Sequence, residues 1–144
     1  MRALIERVER VNCVIDNKIH SSIENGFLVY VAFEEGDNEQ KITKAIDKIR
    51  KLRIFTDEFG KLNLSIDQVN GSVMAISSFS LFADLNTGNR PSFSRSLPFN
   101  ESKPLYDLFI SKAKDVFKLE SGVFGADMKI DAINDGPISV ILDI

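Results

Sequence analysis

The sequence predicts a mixed α/β domain in which strands outnumber helices and the helices cover one side of the sheets. Three observations carry this reading. Residues 27–33 form an unbroken apolar run, the pattern of a central strand covered on both faces. Two longer segments repeat apolar residues at helical spacing and stand isolated among strand-like segments. The remaining apolar runs are short and bounded by Asn, Asp, Gly or Pro.

In chain order, residues 1–10 alternate as a strand does, with Leu4, Glu6 and Val8 against Ala3, Ile5 and Arg7. Residues 11–15 and 19–23 read as a hairpin turning at Asp16-Asn17-Lys18. After Asn25-Gly26 comes the central apolar strand, and residues 34–38 form a loop. A helix is expected from Glu39 to about Arg53, with Ile42, Ala45, Ile46, Ile49 and Leu52 as its apolar stripe. Lys41, Lys44, Lys48 and Lys51 fall on another face, which reads first as solvated and second as a phosphate-facing stripe.

Residues 53–57 lead into a turn at residues 58–61, and Leu62, Leu64 and Ile66 then alternate with polar residues. Asn70-Gly71 is a type I′ hairpin signal, followed by a strand over residues 72–77. Residues 86–95 read as a long irregular loop. A second helix is expected over residues 101–117, capped by Asn100, with Pro104 in its first turn, where a missing N–H costs little. Its inner face is Leu105, Leu108, Phe109, Lys112, Ala113 and Val116. Strands over residues 129–133 and 138–144 flank a Gly-Pro turn.

At 144 residues the chain is expected to form one domain spanning 1–144, large enough to fold without disulfides or metal. Its net charge is −3 and its pI about 5.2, which argues against a protein that coats nucleic acid non-specifically. No apolar run approaches the roughly 18 residues of a membrane span. Charged residues interrupt the N-terminus, and the one cysteine, Cys13, has no internal partner; a cytoplasmic protein without membrane association is expected.

Conventional catalytic equipment is scarce. One His and one Cys, without zinc-motif spacing, argue against a metal site. A Ser-His-Asp triad would have to use His20, which falls in a surface hairpin. Cys13 in an apolar strand reads as a small core residue. No phosphate-binding glycine loop or dinucleotide fingerprint is present, and no cofactor is implied. What stands out is a pair of polar turns, one after Ser77 and one at Asn134-Asp135-Gly136-Pro137, each set against an apolar strand. Such turns offer backbone N–H and C=O groups. Amides of Phe79 and Ser80 would suit an oxyanion hole, which needs no special side chain. The plain alternatives are a polar strand end and a simple β-turn.

The chain resembles the D-aminoacyl-tRNA deacylases, also called D-tyrosyl-tRNA deacylases, over essentially its whole length. The resemblance rests on Glu6-Arg7-Val8, Arg53-Ile54-Phe55, Lys61-Leu62-Asn63, Gly71-Ser72-Val73, Gly88-Asn89-Arg90-Pro91-Ser92-Phe93-Ser94, Leu105-Tyr106, residues 122–128 and Asn134-Asp135-Gly136-Pro137, in the family's order and spacing. It implies a compact, three-layer α/β/β, barrel-like domain with two main helices on one side. It also implies a homodimer that hydrolyses the ester between a D-amino acid, or mischarged glycine, and the 3′-terminal adenosine of tRNA.

By that resemblance Gly136 and Pro137 form a cis dipeptide that enters the partner's active site and bars L side chains, and Arg7 braces it. The family's Ser-Gln-Phe-Thr motif maps onto Ser77, Ser78, Phe79 and Ser80, with Ser78 in place of Gln and Ser80 in place of Thr. Ser139 stands where the family usually has Thr. Phe124 and Met128 match positions of the adenosine pocket, with core packing as the other reading; Arg90 reads either as a residue that meets phosphate or as an ordinary exposed loop arginine. Two mechanisms remain: attack by the Ser80 hydroxyl, or a water assisted by the adenosine 2′-OH while backbone amides hold the oxyanion. The second needs no missing base. Two other functions stay in view: an editor with shifted, L selectivity, and a non-catalytic module that binds the tRNA end.

Overall fold

The structure, a computed structural model, describes residues 1–86 and 88–144. Strands β1 (Arg2–Ile15), β2 (Lys18–Ile23) and β3 (Gly26–Ala32) come first, followed by helix α1 (Glu39–Lys51). Then come β4 (Phe55–Thr56), β5 (Leu62–Leu64), β6 (Ser72–Ser77), a 3₁₀ turn (Phe79–Phe82), α2 (Phe99–Lys114), β7 (Lys118–Ser121) and β8 (Lys129–Asp143). The main sheet runs β2-β1-β3-β6-β7, with β8 also pairing β1; β4 and β5 form a separate ribbon. The sheet curls until β2 meets its far end, where the Ser21 hydroxyl donates to the Ser121 carbonyl at 2.9 Å. This is the mixed, barrel-like α/β fold expected, with two main helices.

β3 is the central strand that its apolar run predicts. Phe27, Val29 and Val31 face a core shared with Ile42, Ile49 and Phe109 of the helices. Leu28, on the other face, joins Val8, Val11, Cys13 and Met74 inside the curled sheet. Cys13 is thus a buried core residue. The β1–β2 hairpin is also as read, although Lys18 already pairs with Ile15, so that Asp16 and Asn17 alone make the turn, both at positive φ. Helix α1 is capped by Asn38, whose side chain accepts from the Lys41 amide at 3.1 Å.

Several boundaries differ from the sequence reading. Residues 1–15 are one strand, because β3 and then β2 pair successive halves of β1 while β8 follows it along the other edge. Asn70-Gly71 joins no hairpin: β6 pairs parallel to β3, and the turn instead closes through the Gly71 amide on the Ile66 carbonyl at 3.0 Å. α2 starts at Phe99 beyond a Pro98 cap and ends at Lys114, so Pro104 sits two residues deeper than expected, in the second turn. The residues after it form β7, parallel to β6. Of the loop expected over residues 86–95, Thr87 lies outside the described residues; Asp84 and Ser92 pair across its base. No helix among the described residues is long and apolar enough to cross a membrane.

The largest correction concerns Gly136-Pro137. The chain does not reverse there; β8 runs through it as one strand antiparallel to β1. Register is lost locally: Glu6 pairs with Ser139 and Val8 with Asn134, which leaves residues 135–138 opposite Arg7 alone. The excess chain stands out as a bulge, with Gly136 and Pro137 exposed.

Candidate active site

The polar end of β6 is fixed before it becomes chemically interesting. The Ser78 amide donates to the Val31 carbonyl at 2.9 Å, tying the strand end to β3. The chain then tightens into the 3₁₀ turn, with the Leu81 amide on the Ser78 carbonyl and the Ala83 amide on that of Ser80. Arg2 donates to the Leu81 carbonyl at 3.0 Å, and Arg2 and Arg95 each lie 5.2 Å from the centroid of the buried Phe82 ring. Helix starts leave their first amides without intrahelical partners. Those of Phe79 and Ser80 meet no acceptor among the described residues.

Beside this turn lies a cavity of about 540 Å³. Ser77, Ser78 and Phe79 line it on one side, Phe124 and Met128 on another. Five of the residues singled out in the sequence therefore share one space. Ser80 stands outside the lining, exposed, with its hydroxyl 3.0 Å from that of Ser78. Phe124 is held edge-on to Phe99, ring centroids 5.0 Å apart. Gly125 permits this: its φ is +78°, and a Cβ there would lie 2.6 Å from the Phe99 ring. Gly122 likewise leaves room for Met128, whose sulfur would be 2.5 Å from an added Cβ.

Ser96 was not anticipated. It lines the cavity, and its hydroxyl is buried without a hydrogen-bond partner among the described residues. Nothing in its sequence neighbourhood marks it, since its place depends on a bridge to Glu34.

Gly136, Pro137 and Arg7 belong to a different place in the chain's own fold and do not line the cavity. The Gly136–Pro137 peptide is cis, and Gly136 has φ +118°. Arg7 is buried, 6% exposed, on the otherwise apolar Ala3-Ile5 face of β1. It donates to the Ile54 carbonyl at 2.8 Å, the Thr56 hydroxyl at 3.3 Å and the Asp135 carbonyl at 3.2 Å. Its Nε also lies 2.8 Å from the Asp135 carboxylate. A buried guanidinium is costly unless its donors are used, and here they tie the bulge to the loop before β4.

The other candidates are unremarkable in place. His20 is exposed on β2. Arg90 is exposed and has no ion-pair partner among the described residues. Within the lysine stripe of α1, Lys41 pairs with Asp37 and Lys51 with Asp47. No cluster of His, Cys, Asp and Glu among the described residues has metal-binding spacing. The site therefore offers open amides, hydroxyls and an aromatic-lined cavity. Such a set suits an ester or another carbonyl bearing a planar heterocycle.

Comparison with known proteins points the same way. The family described as D-Tyr-tRNA(Tyr) deacylase matches residues 4–143. A D-aminoacyl-tRNA deacylase of Lactobacillus gasseri is 43% identical over the full length of both chains. One from Thermosipho africanus is 42% identical, covering 99% of this chain and 97% of its own. Among solved structures, the c-Myc DNA Unwinding Element Binding Protein superposes with a TM-score of 0.94 at 27% identity, covering 100% of this chain and 99% of its own. A probable eukaryotic D-amino acid tRNA deacylase gives 0.87 at 15% identity, covering 99% and 98%, a likeness of fold.

Proposed function

The chain belongs to the D-Tyr-tRNA(Tyr) deacylase family, and we propose that it removes D-amino acids, and glycine, from tRNA by a site built of backbone amides and guarded by the Gly136-Pro137 bulge. Its general activity is that of a D-aminoacyl-tRNA deacylase: water cleaves the ester on the tRNA 3′ end and releases the free D-amino acid. The observation that carries the finer reading is the pair of open amides, Phe79 and Ser80, beside the cavity lined by Ser77, Ser78, Phe124 and Met128.

In this reading the terminal adenine enters the cavity against Phe124 and Met128. The ester carbonyl oxygen meets the Phe79 and Ser80 amides, which stabilise the charge that develops on it. Ser80 is a poor nucleophile here. Its one hydroxyl partner is Ser78, too weak a base to take its proton, and no His or Lys is bonded to either. The adenosine 2′-OH therefore directs the attacking water, and the proton passes to the leaving 3′-oxygen.

Selection of hand falls to Gly136 and Pro137 of a second copy. Their bulge is exposed at the edge of the sheet on β8 and absent from the cavity wall of its own chain, which suits a part delivered across a dimer interface. Exclusion by shape needs no contact with the D side chain, so many D-amino acids and glycine would pass. Arg7 holds the bulge from within. A cytoplasmic homodimer acting on aminoacyl-tRNA is the form in which this site would be complete.

Purified protein incubated with D-Tyr-tRNA and L-Tyr-tRNA tests the reading. D-selective hydrolysis is expected. Binding of the tRNA end without D-selective turnover would favour a non-catalytic module, and L-selective turnover a shifted editor.

A further inference from the structure

Glu6 and Arg7 are neighbours on β1 and project to opposite sides of the strand. Arg7 grips the bulge of β8 from the buried side. On the other side the Glu6 carboxylate accepts two hydrogen bonds on one oxygen. The Asn134 amide donates to Oε1 at 3.3 Å, and the Ser139 hydroxyl donates to the same Oε1 at 3.3 Å.

The two donors have a particular place. Ser139 and Asn134 are the β8 residues that pair with β1 on either side of the register break, opposite Glu6 and Val8. One carboxylate oxygen thus joins both ends of the excess chain, residues 135–138. The strand ladder cannot do this, since those residues have no pairing partner on β1. Glu6 makes no ion pair among the described residues. Both of its recorded side-chain partners are neutral donors flanking the bulge.

We propose that Glu6 is a positioning residue for D/L discrimination: its carboxylate fixes the separation of Asn134 and Ser139, and so how far Gly136-Pro137 stands out from the sheet. This rests on the proposal that the bulge is the chiral gate. A wider base would let the dipeptide recede and admit an L side chain, while the amides that act on the ester stay in place. Glu6 does not line the cavity, and its side-chain hydrogen bonds go to Asn134 and Ser139 rather than to the 3₁₀ turn.

The test compares initial rates on D-Tyr-tRNA and L-Tyr-tRNA for the wild type, Glu6→Ala, Glu6→Gln, Ser139→Ala and Pro137→Gly. Loss of both hydrogen bonds predicts that Glu6→Ala raises the L/D rate ratio by about tenfold or more. Glu6→Gln keeps an oxygen acceptor and should return the ratio to near wild type. Ser139→Ala removes one donor and should give a smaller rise; it carries the test if Glu6→Ala does not fold. A Glu6→Ala variant that slows both substrates equally, or changes only its thermal midpoint, overturns the proposal. Glu6→Gln behaving as Glu6→Ala would also overturn it, since charge rather than the shared acceptor would then matter. Pro137→Gly separates the two levels. An unchanged ratio there sinks the gate and Glu6's role with it, whereas a raised ratio there with none in Glu6→Ala sinks the Glu6 proposal alone.

Discussion

The hydroxyl oxygens of Ser78 and Ser80 lie 3.0 Å apart across the start of the 3₁₀ turn. These are the two positions at which the resemblance sets Gln and Thr against serines here, and the fold makes them partners. The two short hydroxyls satisfy each other. In the proposed reading the groups that would hold the oxyanion are the main-chain amides of Phe79 and Ser80, which do not depend on these side chains.

A first prediction follows for Ser80→Ala. If Ser80 only hydrogen-bonds to Ser78, removing its hydroxyl should cost about tenfold or less in kcat. Loss of a true nucleophile costs about 10⁴-fold or more. Single-turnover hydrolysis of D-Tyr-tRNA, with tRNA binding measured separately, distinguishes the two.

Gly125→Ala should damage the side of the cavity proposed to take adenosine. The new Cβ would press on the Phe99 ring, and φ +78° is poorly tolerated by alanine. A stability loss of about 1–2 kcal/mol is expected from the backbone alone. Because Phe99 supports Phe124, KM for D-Tyr-tRNA should rise more than kcat falls, as steady-state kinetics would reveal.

Arg7→Met should destabilise the fold by about 2–3 kcal/mol, since the Ile54 carbonyl loses its buried charged donor and Asp135 its cation. Asp135 is partly exposed, which keeps the loss below that of a fully buried pair. Urea denaturation measures it. A loss of D/L discrimination should accompany it at temperatures where the variant remains folded.

How much of this was legible beforehand differs by element, for physical reasons. The β3 run, the α1 stripe and the Asp16-Asn17 turn announce themselves because each is decided by neighbours in sequence. Asn70-Gly71 misleads: it has hairpin chemistry, yet β6 finds a better partner in β3, a parallel pairing that no local pattern encodes. β7 is too short to stand out and exists because β6 offers an edge. Ser77, Ser78, Phe79, Phe124 and Met128 could be named from the resemblance, and they do meet around one cavity. Ser96 and Glu6 could not be singled out, since a hydroxyl left unpartnered and a carboxylate spanning a register break are properties of the assembled sheet.

Acid should weaken the fold through Asp37. Burial alone would raise its carboxyl, but hydrogen bonds from the Met1 ammonium at 2.6 Å, the Glu34 amide at 2.8 Å and Lys41 at 3.0 Å hold it below the usual carboxylate range. A group with a depressed folded-state pKa stabilises above its unfolded value, near 3.9, and that contribution disappears as pH falls through the folded value. Asp37→Asn should be less stable than the wild type at pH 7 and show a flatter decline as pH falls below about 5. Urea midpoints across that range provide the comparison.

The proposal that main-chain amides and the RNA itself perform the hydrolysis meets its most direct test in D-Tyr-tRNA ending in 2′-deoxyadenosine, where the ester is kept on the 3′-oxygen. Its single-turnover rate with the wild-type protein should fall by about 100-fold or more relative to the ribose form, the usual worth of a positioned proton-transfer group. An undiminished rate would contradict it and return the chemistry to a protein side chain.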